Sequence, residues 1–286
     1  MLRFVALTLG RFAVHALDTG SLALDGGAMF GVVPRPLWGR HFEADARNRI
    51  QLALRCLLIV DGPRRILIDT GAGSRWAARE LDLYGLSADD GLSASLQTLG
   101  LTRDDITDVV LTHLHFDHAG GTTCAQGGDL SLAFARATFH LQRRHWKWAH
   151  HPSEKDAGSF RPEDFEVLQK SGRLHLLEGN TELYPGVHLF VSEGHTVGLQ
   201  LVRLESDDGQ TLVFCGDLIP TTAHLRAAWV AAYDLYPLTV IEEKKQLLAQ
   251  AVEEGWLLFF EHDPKVAVCS VKDDGGQVVV DRVLTP

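Results

Sequence analysis

The sequence is short of sulfur, of positive charge and of long apolar runs. Only 4 of its 286 residues are cysteine and 2 are methionine. Cys56, Cys124, Cys215 and Cys269 are scattered without any Cys-x-x-Cys spacing. A chain of this size with so few cysteines has no disulfide framework, which suits a reducing, cytoplasmic compartment. No uncharged apolar run reaches the roughly 18 residues of a membrane span, so no membrane partner is expected. The apolar start, Met1 to Leu9, is interrupted by Arg11, and no small-residue cleavage site follows. It reads as a strand, not a signal peptide. Lysine and arginine number 27 against 37 aspartates and glutamates, a net charge of −10. Such a surface repels phosphate backbones and disfavours a nucleic-acid partner. Linkers rich in Pro, Gly or Ser, short-period repeats and low-complexity runs are also missing, so residues 1–286 read as one domain.

What is present is apolar and ligand-rich. Hydrophobic residues make up 45% of the chain, ample for a core. Ile106, Val109, Val110 and Leu111 form a β-branched run that reads as a buried strand. Immediately after it, His113, His115, Asp117 and His118 fall within six positions. Imidazole and carboxylate at that density suit divalent first-row metals. At a strand's end His113 and His115 point the same way, because side chains alternate with period two. Asp117 and His118 lie in the following turn and aim elsewhere, so one segment can serve two ions. Gly120 and Gly121 are expected to let the backbone turn sharply away.

The stretch His113-Leu114-His115-Phe116-Asp117-His118 resembles the His-x-His-x-Asp-His signature of the metallo-β-lactamase superfamily. Three later strand-then-ligand junctions fit the same pattern: residues 187–191 lead to His195, 211–214 to Asp217, and 256–260 to His262. The resemblance runs from about Arg64 to His262. It implies an α/β, four-layer αβ/βα sandwich, two β-sheets flanked by helices. It also implies that His113, His115 and His195 hold one metal, that Asp117, His118 and His262 hold a second, and that Asp217 bridges them. A carboxylate has two oxygens and can bridge; a neutral imidazole offers one nitrogen to one ion. Zinc is the expected cofactor at both positions, with iron, manganese and cobalt compatible with the same donors. The implied chemistry is hydrolysis by a hydroxide held between two metals, with Asp117 moving the proton.

Elsewhere the chain alternates strands and helices. Residues 2–9 and 12–17 read as strands. Residues 52–60 and 65–68 read as a hairpin about Asp61-Gly62-Pro63, and its return strand ends in Asp69. That position suits a carboxylate that orients a ligand histidine through its other ring nitrogen, and the family has an aspartate there. Residues 75–83 and 92–99 read as helices in a crossover that favours parallel pairing. Residues 132–141 form a strand. The run from Arg143 to Arg161 holds Trp146, Trp148, His145, His150 and His151. Without a third positioned ligand it reads as an insertion or lid, extending to about residue 175, and not as another metal site. Pro162-Glu163-Asp164 opens a short helix. Pro237 opens a longer one, with Thr239 and Glu242 as a capping box, Glu243, Lys244 and Lys245 facing water, and Gly255 ending it. Strands at about 266–271 and 277–284 flank a hairpin turn at Asp274-Gly275-Gly276.

Residues Asp25 to Pro34 are too Gly-rich for a regular element and expose Met29 and Phe30 on a loop, which suits substrate contact. That loop resembles one in the lactonases and organophosphate hydrolases of the superfamily. The implied substrate is therefore a small ester-like molecule, foremost a lactone, then an aryl ester or phosphotriester. A β-lactamase would need export, and a glutathione-thioester hydrolase would need a basic C-terminal patch that residues 271–276 lack; these stand as alternatives, beside a metal-binding scaffold without catalysis. One departure stands out: acyl-homoserine lactonases carry a tyrosine three residues past the bridging aspartate, where this chain has Pro220. His224 and Tyr233 are the candidates to contact substrate in its place, although Tyr233 and Tyr236 also read as packing residues. The sequence leaves a homodimer open.

Overall fold

The computed structural model describes residues 6–87, 89–126 and 128–284. It holds two seven-stranded sheets, packed face to face, with helices on both outer surfaces. The first sheet takes β1 (Ala6–Leu9), β2 (Phe12–Asp25), β3 (Arg49–Asp61), β4 (Arg64–Ile68) and β5 (Asp108–Val110). After a small separate hairpin of β6 (Thr123–Gln126) and β7 (Asp129–Leu132), it is completed by β8 (Thr138–Gln142) and β9 (Leu174–Leu177). β1 to β4 are antiparallel, whereas β5, β8 and β9 continue parallel to β4. Residues 2–5 of the first expected strand lie outside the described residues.

The second sheet repeats the plan with β10 (Thr181–Tyr184), β11 (Val187–Ser192), β12 (Leu199–Glu205), β13 (Thr211–Phe214), β14 (Leu257–Phe259), β15 (Val268–Asp274) and β16 (Gln277–Leu284). Its one parallel pair, β13 with β14, is joined through the helix Pro237–Glu254. A parallel pair needs such a crossover, because a tight turn cannot bring the chain back in the same direction.

The strands read as unbroken apolar runs because both of their faces are buried. Leu57, Ile59, Ile66 and Ile68 point inward and meet Val187, Leu189, Val202 and Phe214 of the opposite sheet. The alternate residues of the first sheet, Cys56, Leu58 and Leu67, point outward under Leu92 and Leu96 of the helix Gly91–Thr98. On the far side Val240, Leu247 and Ala251 of the long helix cover Val213, Leu258 and Cys269. Each buried aliphatic side chain of this size contributes about 1.5–3 kcal/mol relative to exposure. Among the described residues no helix is long and apolar enough to cross a membrane.

Several local expectations need correction. Residues Gly26–Phe30 form a short helix, not an irregular loop, because the Asp25 carboxylate accepts from Ala28 N at 2.9 Å and caps it. β2 runs on to Asp25, well past residue 17. The expected strand 132–141 is two pieces, parted by a turn in which Ala137 N donates to Phe134 O at 3.1 Å. The Thr239–Glu242 capping box does not form: Tyr236 is the N-cap and provides no side-chain bond. Lys244, expected in water, is buried and donates to the carbonyls of His224, Arg226 and Trp229 at 3.0, 3.2 and 2.5 Å. Glu243 likewise turns inward, accepting from Ser192 Oγ at 2.6 Å and Glu193 N at 2.8 Å. Of the segment expected as a lid, Arg143–His150 is a helix whose Ala149 packs into the core beside the first sheet.

Candidate metal centre

The ligand-type residues gather where strands of both sheets end. β5 stops at Val110, so His113 and His115 lie on extended chain beyond it, and the helix Phe116–Ala119 carries Asp117 and His118. His195 follows β11, Asp217 sits in the turn Gly216–Leu218 after β13, and His262 follows β14. Gly120 and Gly121 are required here for a reason other than the one expected. Neither has a positive φ. A Cβ on Gly120 would stand 2.2 Å from Ala72 O, and one on Gly121 2.2 Å from Thr70 O. Their missing side chains let the ligand helix press against the chain leaving β4.

Two overlapping sets result. His113, His115, His195 and Asp217 bring one ligand atom each within 4.8 Å of one another, as do Asp117, His118 and His262. Asp217 spans both sets. Its Oδ2 lies 3.2 Å from His195 Nε2 and 3.9 Å from His113 Nε2, while its Oδ1 lies 3.1 Å from His262 Nε2. Asp117 reaches His118 Nε2 at 3.9 Å and His262 Nε2 at 3.8 Å. Burial and the neighbouring imidazoles drive His113 and His115 well below the usual histidine pKa. Burial also opposes charge on His262, but Asp217 pushes it up to about 9.

The far ring nitrogens of His118, His195 and His262 are engaged by the fold, and this decides what the near ones can do. His118 Nδ1 is 3.0 Å from Asp69 Oδ2, His195 Nδ1 is 2.8 Å from Asp234 Oδ1, and His262 Nδ1 is 3.0 Å from Ala53 O. Rings that donate from Nδ1 present lone pairs at Nε2. Yet His118 Nε2 and His262 Nε2 face each other at 3.2 Å, as do His195 Nε2 and His115 Nδ1. Buried His113 Nε2 and His115 Nε2 have no hydrogen-bond partner among the described residues. Converging lone pairs need a cation between them, so the donor set fits divalent metal ions.

Asp69 lies behind the His118 ring and is itself firmly held. It sits at φ +58 and accepts from Thr112 N at 2.7 Å and Thr112 Oγ1 at 2.6 Å besides His118. Three positioning groups were missed. Asp234 backs His195, and Glu261 Oε2 lies 3.1 Å from His118 Nδ1. His145 is no ligand: its Nε2 accepts from Leu114 N and its Nδ1 meets Val197 O, both at 2.8 Å, tying two ligand loops together.

These side chains floor a cleft of about 290 Å³. His115, Asp117, His195, Asp217 and His262 form its polar end, and Leu24, Met29, Leu52, Phe116, Pro220 and Ala231 its apolar walls. Tyr84, Tyr233 and Lys155 stand at its edges, with Gly158 and Ser159. Of the residues expected to contact substrate, Met29 and Tyr233 are placed on the cleft lining, while Phe30 and His224 are not. Phe30 is fully buried, stacked between Trp38 at 5.6 Å and His224 at 4.7 Å. Both nitrogens of His224 are occupied, by Thr221 Oγ1 at 2.7 Å and Met29 O at 2.9 Å. Tyr236, expected to pack, is 49% exposed.

The family model of the metallo-beta-lactamase superfamily matches residues 54–262, which take in every proposed ligand. The chain belongs to that superfamily. A solved structure of a probable metal-dependent hydrolase from Staphylococcus aureus is similar over 98% of this chain and 100% of that one, at 32% identity and a TM-score of 0.88. An N-acyl homoserine lactonase of Bacillus cereus is 25% identical over 228 residues, 76% of this chain and 83% of its own. AidC, a dizinc quorum-quenching lactonase solved in complex with a product, shares the fold at a TM-score of 0.82 and 22% identity, over 99% of this chain and 98% of its own. The two-sheet sandwich is thus the superfamily fold, and the chain is a metal-dependent hydrolase of that superfamily with a candidate metal-binding site, similar to proteins that include lactonases.

Proposed function

We propose that this hydrolase is a binuclear lactonase, opening a small lactone with two divalent ions held by His113, His115, His195, Asp117, His118 and His262 and bridged by Asp217. The observation that carries this reading is the reach of Asp217 into both histidine sets, Oδ2 lying 3.2 Å from His195 Nε2 and 3.5 Å from His118 Nε2, and Oδ1 3.1 Å from His262 Nε2. The donors are imidazole and carboxylate without thiolate, which supports zinc, with iron, manganese and cobalt as the alternatives. Four free thiols support a reducing, cytoplasmic setting. For the substrate, support comes from the lactonases among the relatives and from a cleft with apolar walls and a polar end.

When bound, two such ions would supply Lewis acidity and lower the pKa of a bound water toward about 7. The chain's own residues do the rest. Asp69 and Asp234 hold His118 and His195 so that each presents Nε2 inward. Asp117, at the cleft floor, has a carboxylate placed to accept a proton and return it to the leaving oxygen. Leu24, Met29 and Phe116 exclude water from an apolar substrate portion. No hydroxyl stands at Pro220, so Tyr84, Tyr233 and Ser159 are the hydroxyls that the cleft offers a substrate.

Elemental analysis run beside hydrolysis of lactones, aryl esters, thioesters and phosphotriesters tests the reading. Two metals per chain and fastest turnover of lactones are expected, with His113→Ala and Asp217→Ala losing metal and activity together. Full activity in both variants would sink it, and flat progress curves with two metals bound would favour a scaffold.

A further inference from the structure

We propose that Glu261 is a second carboxylate holding the His118 ring, and that it makes the Asp117–His118–His262 half of the centre the tighter metal site. The inference rests on the binuclear reading above. Glu261 lies between Phe260, at the end of the strand run, and the ligand His262, and it is fully buried. Its Oε2 is 3.1 Å from His118 Nδ1, a nitrogen that Asp69 Oδ2 also approaches at 3.0 Å. Neither Glu261 oxygen has a well-formed hydrogen bond among the described residues. The nearby guanidinium of Arg55 gives its bonds to the carbonyls of Phe260 and Asp263 instead. A fully buried carboxylate without a cation of its own is costly. Its charge finds compensation through the imidazole, in a dication held at His118 Nε2 on the other side.

The other ligand rings are supported differently. His113 Nδ1 meets the Thr112 hydroxyl at 3.0 Å, His262 Nδ1 meets a backbone carbonyl at 3.0 Å, and His195 Nδ1 has the single carboxylate of Asp234 at 2.8 Å. A carboxylate behind an imidazole raises its basicity as a ligand; two should raise it further. Asp69, His118 and Glu261 also bring ligand atoms within 4.8 Å of one another. A third ion there would have to take His118 Nδ1 from both carboxylates, so the group is read as support for the ring and not as another site.

The test compares the full-length protein with Glu261→Gln, which keeps shape and removes charge, and with Glu261→Asp, which keeps charge. Zinc binding is followed by competition with a chromophoric chelator, and melting is recorded with and without excess chelator. The wild type should bind two zinc ions in a tighter and a weaker step. In Glu261→Gln the tighter step should weaken about 10–100-fold with the other unchanged, and Glu261→Asp should fall between. Unchanged zinc steps with a lower melting temperature in chelator would mean a packing role and overturn the proposal. Three zinc ions in the wild type, falling to two in Glu261→Gln, would overturn it in favour of a third site. A single zinc in the wild type would remove the binuclear reading alone, because loss or retention of that step in Glu261→Gln still decides the part played by Glu261.

Discussion

Asp69 joins three demands in one side chain: a left-handed backbone, two bonds to Thr112 and the orientation of His118. Asparagine tolerates that backbone region and alanine does not. Asp69→Asn should therefore keep most of the stability but lose metal affinity, whereas Asp69→Ala should also lose about 2–4 kcal/mol; urea melts and zinc titration separate the two. His224 makes a different prediction. Burial lowers its pKa to about 3 from the usual histidine value of 6.5. As pH falls below 6.5 the unfolded chain takes up a proton that the folded chain refuses. Its contribution is whole above that value and is lost progressively toward pH 3, about 3 kcal/mol by pH 4.5. In metal-free protein, His224→Gln should flatten the slope of unfolding midpoint against pH between 6.5 and 4.5. The histidines and aspartates of the candidate metal centre stood out in the sequence because their spacing carries the signal. Asp234 and Glu261 were not, since each meets its histidine across space at no fixed interval. Phe30 and His224 were misplaced because short distance along the chain from a site says nothing of which way a ring turns.

The elements were legible in kind and less so in their faces. Apolar runs marked the strands 52–60, 211–214 and 256–260, and a strand–helix–strand crossover foretold the parallel pairing of β4 with β5. Lys244 shows where such reading fails. Charge suggested solvent, but the helix Pro237–Glu254 lies over the carbonyls of His224, Arg226 and Trp229, which only a three-proton donor satisfies together. Lys244→Met should leave them unpaired and cost about 3 kcal/mol. The same chain leads on to Asp234, so zinc affinity should fall as well, which titration of the folded variant would detect. The expected capping box failed because the helix begins at Pro237 with Tyr236 as its N-cap, so Thr239 already lies inside the first turn.

At the scale of the molecule, the centre fastens chain ends from both sheets: the segments after β5, β11, β13 and β14. Ligand binding to the folded state alone stabilises by about 4 kcal/mol at a thousandfold excess over the dissociation constant. For a protein of this size that corresponds to roughly 10 °C. Excess chelator should lower the melting temperature by about that amount, and zinc should restore it. What the sequence could not reveal at this scale was the cleft, whose walls come from β2, β3, the ligand helix and the chain after β13. The division of donors between the two sheets has a consequence for biogenesis. His113 and His118 are made early and His262 late, with a whole sheet between them, so a nascent chain cannot close the centre until both halves have been synthesised and have met. Ion capture would then come as the final checkpoint of maturation, and starvation for metal would leave an assembled but unlocked protein.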